Sequence, residues 1–409
     1  MPFALVNGAA LGLTPILFPL AVESHGAAQV GLVMAAYNLG ALAAPFAGAI
    51  ADRWHLHRPL AVASCIGSAV ALWLFPSVST GAQLLLSLLE GASYAAMMTV
   101  ANLLIVERKP ERQWNLRLGW LETVLSVGQG GALLLAGALS TMNEHVGLSL
   151  AAIVPAAAIP LTFVLTPRSP GQNPSAKAHQ LQDMGHAGEW AAGGPSRNHY
   201  RLSVHDLTRM FQLAAGPFGW FLLSWIPAYA GAALVFALYP VLFKQAFHLQ
   251  PALSSLAFAL IVFISLPLYP FAGRMGQRVG PQAALLTGLG IRLCVLVALA
   301  FLAFLATRHG ISPIIPLVAF SGVVLGWAFL SVASPSLTAQ LKPAAEGAAQ
   351  GALNASSGLA GVLGSIVGGT IAGAFGYASA LAVAAAFEAL GVGIFVVAFM
   401  LRRRTTPHP

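Results

Sequence analysis

Long, nearly uninterrupted runs of apolar residues recur along the whole chain. Each is close to the ~20 residues that an α-helix needs to cross the hydrocarbon core of a bilayer. The runs do not alternate in segments of about ten residues, as the strands of a membrane β-barrel do. The pattern therefore predicts about twelve membrane-spanning helices. The predicted spans lie near residues 2–21, 29–50, 59–76, 82–106, 117–140, 148–166, 214–243, 251–271, 282–306, 313–338, 351–374 and 377–401.

The composition agrees with a membrane protein. Of the 409 residues, 57% are hydrophobic and 8% are charged, whereas a soluble domain carries about 25% charged residues. A soluble chain of this length has no core that could hide so much apolar surface. We therefore exclude a soluble enzyme, a secreted disulfide scaffold and a sequence-specific nucleic-acid binder. The two cysteines, Cys65 and Cys294, both lie in apolar runs and are too few for a disulfide framework.

The basic residues indicate the orientation of the spans. Twelve spans with a cytoplasmic N-terminus place 17 of the 20 Lys and Arg residues in cytoplasmic segments. These are Arg53, Arg58, Arg108, Lys109, Arg112, Arg117, Arg168, Lys177, Arg197, Arg201, Arg209, Arg274, Arg278, Lys342, Arg402, Arg403 and Arg404. Lys244 and Arg308 fall on the opposite side, and Arg292 lies within a span. This bias predicts that both termini are cytoplasmic, and it explains the net charge of +8 without a nucleic-acid partner.

The longest polar stretch, from Pro167 to about Met210, separates six predicted spans from the other six. It is rich in Pro, Gly, Ser, Asn and His, which is typical of a linker. We therefore predict an N-terminal six-helix bundle over residues 1–166, a cytoplasmic linker over 167–213, and a C-terminal six-helix bundle with a basic tail over 214–409. The linker histidines are irregularly spaced, so we predict solvated loop residues there and no metal site.

Two loops of the first half are repeated weakly in the second. The second span is followed by Gly48-Ala-Ile-Ala-Asp52-Arg53 and then Arg58-Pro59, and the eighth by Gly273-Arg-Met-Gly-Gln277-Arg278. The fourth span is followed by Glu107-Arg-Lys-Pro110, and the tenth by Gln340-Leu-Lys-Pro343. Such internal repeats are typical of transporters in which one helical bundle rocks against the other.

With these features the chain resembles the major facilitator superfamily over its whole length. Gly48-x-x-x-Asp52-Arg53 with Arg58 is similar to the family's loop signature between the second and third spans. The resemblance implies an all-α integral membrane protein with twelve transmembrane helices in two six-helix bundles and both termini in the cytoplasm. It also implies transport by alternating access.

The resemblance gives this signature a role as a cytoplasmic latch. In the family, the carboxylate at the position of Asp52 faces the N-terminus of the eleventh helix, whose free N–H groups carry partial positive charge. The arginines of the signature then bridge to Glu107, and the contacts break when the bundles rock. Because Gln277 and Gln340 replace both carboxylates in the second half, we expect the latch to be strong only in the first. The predicted latch comprises Gly48, Asp52, Arg53, Arg58 and Glu107.

Two positions depart from the proton-coupled drug antiporters of this family. Ser87 stands where they carry an Arg in the fourth helix. The segment Ser126-Val-Gly-Gln-Gly130-Gly131 lacks the leading Gly-Pro of their fifth-helix signature. These departures weaken the case for drug/proton antiport and leave efflux open.

In this fold the first, fourth, seventh and tenth spans line a central cavity, and each carries polar or aromatic residues at helical spacing. Taken singly, each such stripe also fits ordinary helix packing. Together they predict an aromatic, mostly neutral cavity with one acid. Such a cavity suits a neutral or cationic amphipathic molecule, whereas a sugar phosphate or dicarboxylate would call for basic residues. The predicted cavity residues are Asn7, Thr14, Glu90, Tyr94, Met97, Trp225, Tyr229, Phe236, Trp327 and Ser331.

Four ionisable residues lie within predicted spans, where a charge is costly and therefore marks a functional candidate. Glu90 is the first candidate for proton coupling, because burial favours the neutral form of a carboxyl group. Glu122 is the second, although it also fits a side chain that reaches the inner membrane surface or pairs with Arg117. Arg292 and Glu388 fall at similar depth in the ninth and twelfth spans, and we predict that they form a structural ion pair.

These observations favour a secondary active transporter that exports a small organic, amphipathic compound and is driven by protons. The chain has no G-x-x-x-x-G-K-[ST] loop for ATP, and no metal-ligand spacing that a lipid-acting membrane enzyme would need. We therefore predict no enzymatic activity, cofactor or metal. The alternatives are a proton-coupled uptake permease for a small metabolite, and a non-transporting receptor or assembly factor of the same fold. We expect a monomer in the bacterial cytoplasmic (inner) membrane, with the substrate, protons and lipid as its partners and no nucleic acid.

Overall fold

The computed structural model describes residues 2–44, 47, 56–106, 114–166, 216–341 and 346–405. These residues form α-helices joined by short turns, and none of the described residues forms a β-strand. The helices are α1 (Pro2–Ala21), α2 (Ala27–Ala41), α3 (His57–Leu74), α4 (Thr80–Val106), α5 (Trp114–Leu139), α6 (Glu144–Leu165), α7 (Pro217–Ala246), α8a (Pro251–Ser265), α8b (Leu268–Val279), α9 (Pro281–Ala306), α10 (Ile314–Leu341), α11 (Glu346–Phe375) and α12 (Tyr377–Thr405).

Ten of the described helices are long and apolar enough to cross a membrane, and the bent pair α8a–α8b makes an eleventh candidate span. The helix α2 has 15 residues, and most of the remainder of the second predicted span lies outside the described ranges. Large apolar side chains such as Leu85 and Val318 are exposed on the outer surface. Such apolar surfaces suit contact with lipid. Each helix also satisfies its own backbone hydrogen bonds, as the hydrocarbon core of a bilayer requires.

The eighth predicted span is broken rather than straight. The axes of α8a and α8b differ by 44°. Pro267 is the N-cap of α8b, and Pro270 follows within its first turn. Proline has no N–H group and clashes with the preceding turn of a helix, which explains the bend. The break leaves Tyr269 at the start of α8b.

At one end of the molecule, helices from both halves of the chain share a single apolar core. This end, which we call the closed end, contains the α1–α2 turn and the last turn of α7. Phe18 and Phe75 stack there with ring centroids 4.0 Å apart. The ring of Phe320 lies 4.5 Å from that of Tyr239 and 5.5 Å from that of Phe258. These aromatic pairs pack within each half, and the shared apolar core joins the two halves at this end.

Small residues bring the backbones of α2 and α11 together near the closed end. A side-chain carbon on Gly31 would collide with the backbone of Ser365 and Gly369. In the same contact, the Asn38 amide donates a hydrogen bond of 3.2 Å to the Ser365 hydroxyl. Small residues permit such close approach in lipid, where packing rather than the hydrophobic effect drives association.

At the opposite end, which we call the open end, the described residues form two separate apolar clusters. One belongs to the first half of the chain and includes Cys65 and Met97. The other belongs to the second half and includes Phe221 and Phe395. Within the described ranges, each apolar cluster at this end therefore belongs to one half of the chain.

Candidate substrate and proton sites

Aromatic side chains from both halves of the chain lie close together near the middle of the molecule. In the first half, the rings of Tyr37 and Tyr94 are 6.4 Å apart. In the second half, the Tyr229 ring lies 5.7 Å from that of Trp225 and 5.8 Å from that of Trp327. Tyr37 and Tyr94 are both within electrostatic range of Tyr229. We call these five residues the central aromatic group.

One member of the central aromatic group is fixed by a hydrogen bond. The Trp225 indole N–H donates to the Ser357 hydroxyl of α11 over 2.8 Å, and that hydroxyl donates to the Leu353 carbonyl over 3.0 Å. Trp225 is buried, while Tyr229 and Trp327 are half-buried. Trp225 therefore supports the group, and Tyr229 and Trp327 present accessible surface to a ligand.

Glu90 is fully buried inside the first half of the chain. Its Oε1 accepts a hydrogen bond of 3.1 Å from Thr14 of α1 and one of 3.0 Å from Ser68 of α3. Its Oε2 has no hydrogen-bond partner among the described residues. The carboxyl group therefore lies between α1, α3 and α4, and not on the space between the two halves.

A small cavity adjoins this carboxyl group and has room for about one water molecule. Ser68 lines it and also bonds to Glu90, so the cavity lies beside the acid. The Asn7 amide nitrogen has no hydrogen-bond partner among the described residues. The cavity is lined by Val6, Asn7, Ala10, Ser64, Cys65, Ser68, Ser93, Tyr94, Met97 and Pro155. It therefore links the neighbourhood of Glu90 with Tyr94 of the central aromatic group.

Two other predicted cavity residues, Phe236 and Ser331, do not lie near Glu90. Phe236 packs against Phe258 and Phe320, with ring centroids 6.1 and 5.9 Å apart, and so belongs to the closed end. The Ser331 hydroxyl donates to the Ala328 carbonyl of its own helix over 3.3 Å. The structure does not bring these two side chains to Glu90.

Glu122 of α5 has an exposed side chain. It is within electrostatic range of Tyr94 in α4 and of Tyr269 in α8b, which belongs to the other half. Tyr269 also lies beside Ser126 of α5. The structure thus places Glu122 near the boundary between the two halves. Sequence reasoning missed Tyr269 and Ser68, although the Pro-Leu-Tyr-Pro segment around Tyr269 was a detectable signal of a helix break.

Arg292 and Glu388 form a fully buried ion pair between α9 and α12. The distance from Nη2 to Oε2 is 2.8 Å, and Nε donates to the same oxygen over 3.0 Å. Nη2 also donates to the Ala228 carbonyl of α7 over 2.7 Å. The structure therefore brings the two residues together and attaches them to α7, which carries Trp225 and Tyr229.

Most of the predicted latch lies outside the described residues, namely Gly48, Asp52, Arg53 and Glu107. The remaining member, Arg58, lies over the ring of Phe163 in α6, with its guanidinium carbon 3.6 Å from the ring centroid. This is the geometry of a cation–π contact. Arg58 therefore packs within the first half of the chain.

Long apolar helices from two halves, a shared core at one end and a central polar and aromatic region define an integral membrane transporter. The sequence profile of the Major Facilitator Superfamily matches residues 1–311 and 221–409. The chain belongs to the Major Facilitator Superfamily.

Relatives and solved structures agree with this assignment. The multidrug resistance protein MdtG of Citrobacter koseri is 27% identical over 315 residues, which cover 72% of this chain and 70% of that protein. MdtG of Salmonella arizonae is 27% identical over 314 residues, with the same coverage of both chains. A mutant of the nucleoside transporter NupG has a TM-score of 0.75 at 14% identity and covers 97% of this chain and 98% of its own. A D-xylose–proton symporter has a TM-score of 0.73 at 13% identity, and the match covers 97% of this chain and 96% of the symporter. At such identities the solved structures show the fold alone.

Proposed function

We propose that this chain is a secondary active transporter that exports a small organic, amphipathic compound by alternating access and is coupled to protons. The observation that carries the proposal is the contrast between a shared core at the closed end and two separate clusters at the open end. Alternating access requires a site that communicates with one side of the membrane at a time. The arrangement suits one of its two states.

The distribution of charge supports an open end that faces the cytoplasm. Arg274 and Arg278 of α8b lie towards the open end, whereas Lys244 and Arg308 lie at the closed end. Together with the excess of basic residues in the predicted cytoplasmic loops, this supports cytoplasmic termini and an inward-open state. We retain two bundles over residues 1–166 and 214–409, and a latch around Asp52, as parts of the proposal.

Glu90 is the proposed proton carrier. The two hydroxyl donors on one oxygen stabilise the charged carboxylate, while full burial favours the neutral acid. These opposed effects suit a group that changes its protonation state. The adjoining cavity offers a short route for a proton between Glu90 and the region of Tyr94.

The direction of transport rests on a relative rather than on geometry. The printed name of MdtG is that of a multidrug resistance protein, and this supports export. The nucleoside and sugar transporters share the fold with this chain at 13–14% identity. They do not point to a substrate for this chain.

The test is flux through the purified chain in proteoliposomes, for a panel of amphipathic compounds with and without an imposed pH gradient. We expect movement of at least one compound against its gradient when protons flow the other way, and none in protein-free vesicles or after addition of a protonophore. Accumulation in the same direction as proton flow would replace export with uptake. No flux of any compound would favour the receptor or assembly factor.

A further inference from the structure

Glu122 is exposed, whereas the acids Glu90 and Glu388 of the membrane-spanning helices are buried. We propose that it is the anionic element of the substrate site, and that the transported compounds are organic cations. This inference rests on the proposed transport function and names the substrate class of the same central region.

The position of Glu122 supports this role. Its side chain is exposed, yet Tyr94 of the first half and Tyr269 of the second half are both within electrostatic range. Tyr94 belongs to α4 and Tyr269 to α8b, so the Glu122 side chain lies where helices of the two halves meet. Glu122 therefore borders the space between the halves, on the route from the open end to the central aromatic group.

The two buried acids, Glu90 and Glu388, already have partners. Glu90 accepts two hydroxyl hydrogen bonds inside the first half, and Glu388 is paired with Arg292. Among the described side chains, Glu122 has no hydrogen bond or ion pair. Of these three acids, it is the one that a ligand entering from the open end can reach.

The chemistry of the surroundings selects a positive charge. A carboxylate in a partly desolvated space attracts a cation much more strongly than it would in water. The faces of Tyr94, Tyr229 and Trp327 add cation–π attraction for a large organic cation. The guanidinium of Arg292 is within electrostatic range of Tyr229, and its charge is balanced by the ion pair with Glu388.

The nearest described basic residues on the facing helix lie further towards the open end. Arg274 and Arg278 follow Tyr269 by more than one and more than two helical turns, and both are exposed. They therefore lie closer to the open end than Tyr269 does. Among the described side chains, Glu122 is the acid within electrostatic range of both Tyr94 and Tyr269.

Binding of two compounds of similar shape and different charge tests the proposal. The purified full chain in detergent is titrated with tetraphenylphosphonium, a cation, and with triphenylphosphine oxide, which is neutral, and binding is followed by calorimetry. We expect tighter binding of the cation. Glu122→Gln should weaken binding of tetraphenylphosphonium about tenfold or more and leave that of the neutral compound unchanged. The matched control Glu144→Gln, at an exposed acid of the closed end, should bind both compounds as the parent does.

Failure of tetraphenylphosphonium to bind the parent chain, or unchanged cation binding by a Glu122→Gln variant that elutes as a single folded species, would overturn the proposal. A second measurement needs no variant. Carbodiimide labelling of the parent chain, mapped by mass spectrometry, should modify Glu122 and Glu144, and tetraphenylphosphonium should protect only Glu122. Labelling of Glu122 that the cation does not change also counts against it.

These binding measurements need no gradient, so they are separate from the test of transport. Protection of Glu122 without any flux would refute the proposed function and leave the cation site standing. Gradient-driven flux of neutral compounds, without protection of Glu122 by the cation, would refute the cation site and leave the proposed transport function standing.

Discussion

The ammonium group of Lys244, at the end of α7, and the carboxylate of Glu23, in the turn between α1 and α2, form an ion pair with an Nζ–Oε2 distance of 2.6 Å. Gln245 donates to the other carboxylate oxygen over 2.8 Å, and the Tyr377 hydroxyl donates to the Gln245 side-chain oxygen over 3.0 Å. The network links α7 and α12 of the second half to the first half at the closed end. Its ion pair must break if the closed end is to open.

Lys244→Met should make the closed end open more often. Exposed ion pairs contribute about 0.2–1 kcal/mol, so we expect a change of up to about fivefold in the population open at this end. The measurement is the rate at which a membrane-impermeant maleimide labels Ser255→Cys, a buried position on α8a, in a chain with Cys65 and Cys294 replaced by serine. The charge-swapped double variant Glu23→Lys with Lys244→Glu should return the rate towards that of the parent. Equal rates in all three chains would show that the ion pair does not hold this end closed.

Gly31→Ala should disturb the closed end by a different mechanism. The added carbon would collide with the backbone of Ser365, which cannot move aside as a side chain can. Overpacking of this kind costs about 1–3 kcal/mol, so we expect a lower melting temperature and reduced flux. The matched control is Gly131→Ala, where the new carbon has no neighbour within 4 Å. The same loss in both variants would point to a general effect of losing glycine.

Replacing either member of the Arg292–Glu388 pair with leucine should reduce the folded yield strongly. Each single change leaves one buried charge without its partner, which costs about 3–5 kcal/mol. The double variant removes both charges and should recover part of the yield and melting temperature. Fluorescence-detected size exclusion and thermal melting measure both quantities. Normal yield from both single variants would mean that the pair does not stabilise the fold.

Glu90→Gln should separate proton coupling from substrate binding. The change keeps the size and an acceptor for Thr14 and Ser68 but removes the titrating group. We expect loss of gradient-driven transport and retention of substrate exchange, because exchange needs no net proton movement. Both are measured on the same proteoliposomes, with Glu144→Gln as the control. Full gradient-driven transport by the variant would remove Glu90 from the coupling mechanism and make Glu122 the next candidate.

The positions of most spanning helices follow from the sequence alone, because crossing a bilayer is a property of a single segment. About twenty apolar residues satisfy their own backbone hydrogen bonds whatever their neighbours are. For this reason the predicted starts of α4 and α9 lie within two residues of those in the structure. The same reasoning gives the depth of the charged residues and places Arg292 and Glu388 at a similar level in the membrane.

Tertiary structure decided which side chains meet. Depth in the membrane does not determine how a helix is rotated about its axis or tilted, and packing against neighbouring helices sets both. Glu90 therefore turns towards Thr14 and Ser68, 76 and 22 residues away in sequence, and Phe236 joins the closed-end core. The break before Tyr269 brings that residue near Glu122 across the two halves. The asymmetry between the closed and open ends is likewise a property of how the halves are arranged, and no local pattern of residues encodes it.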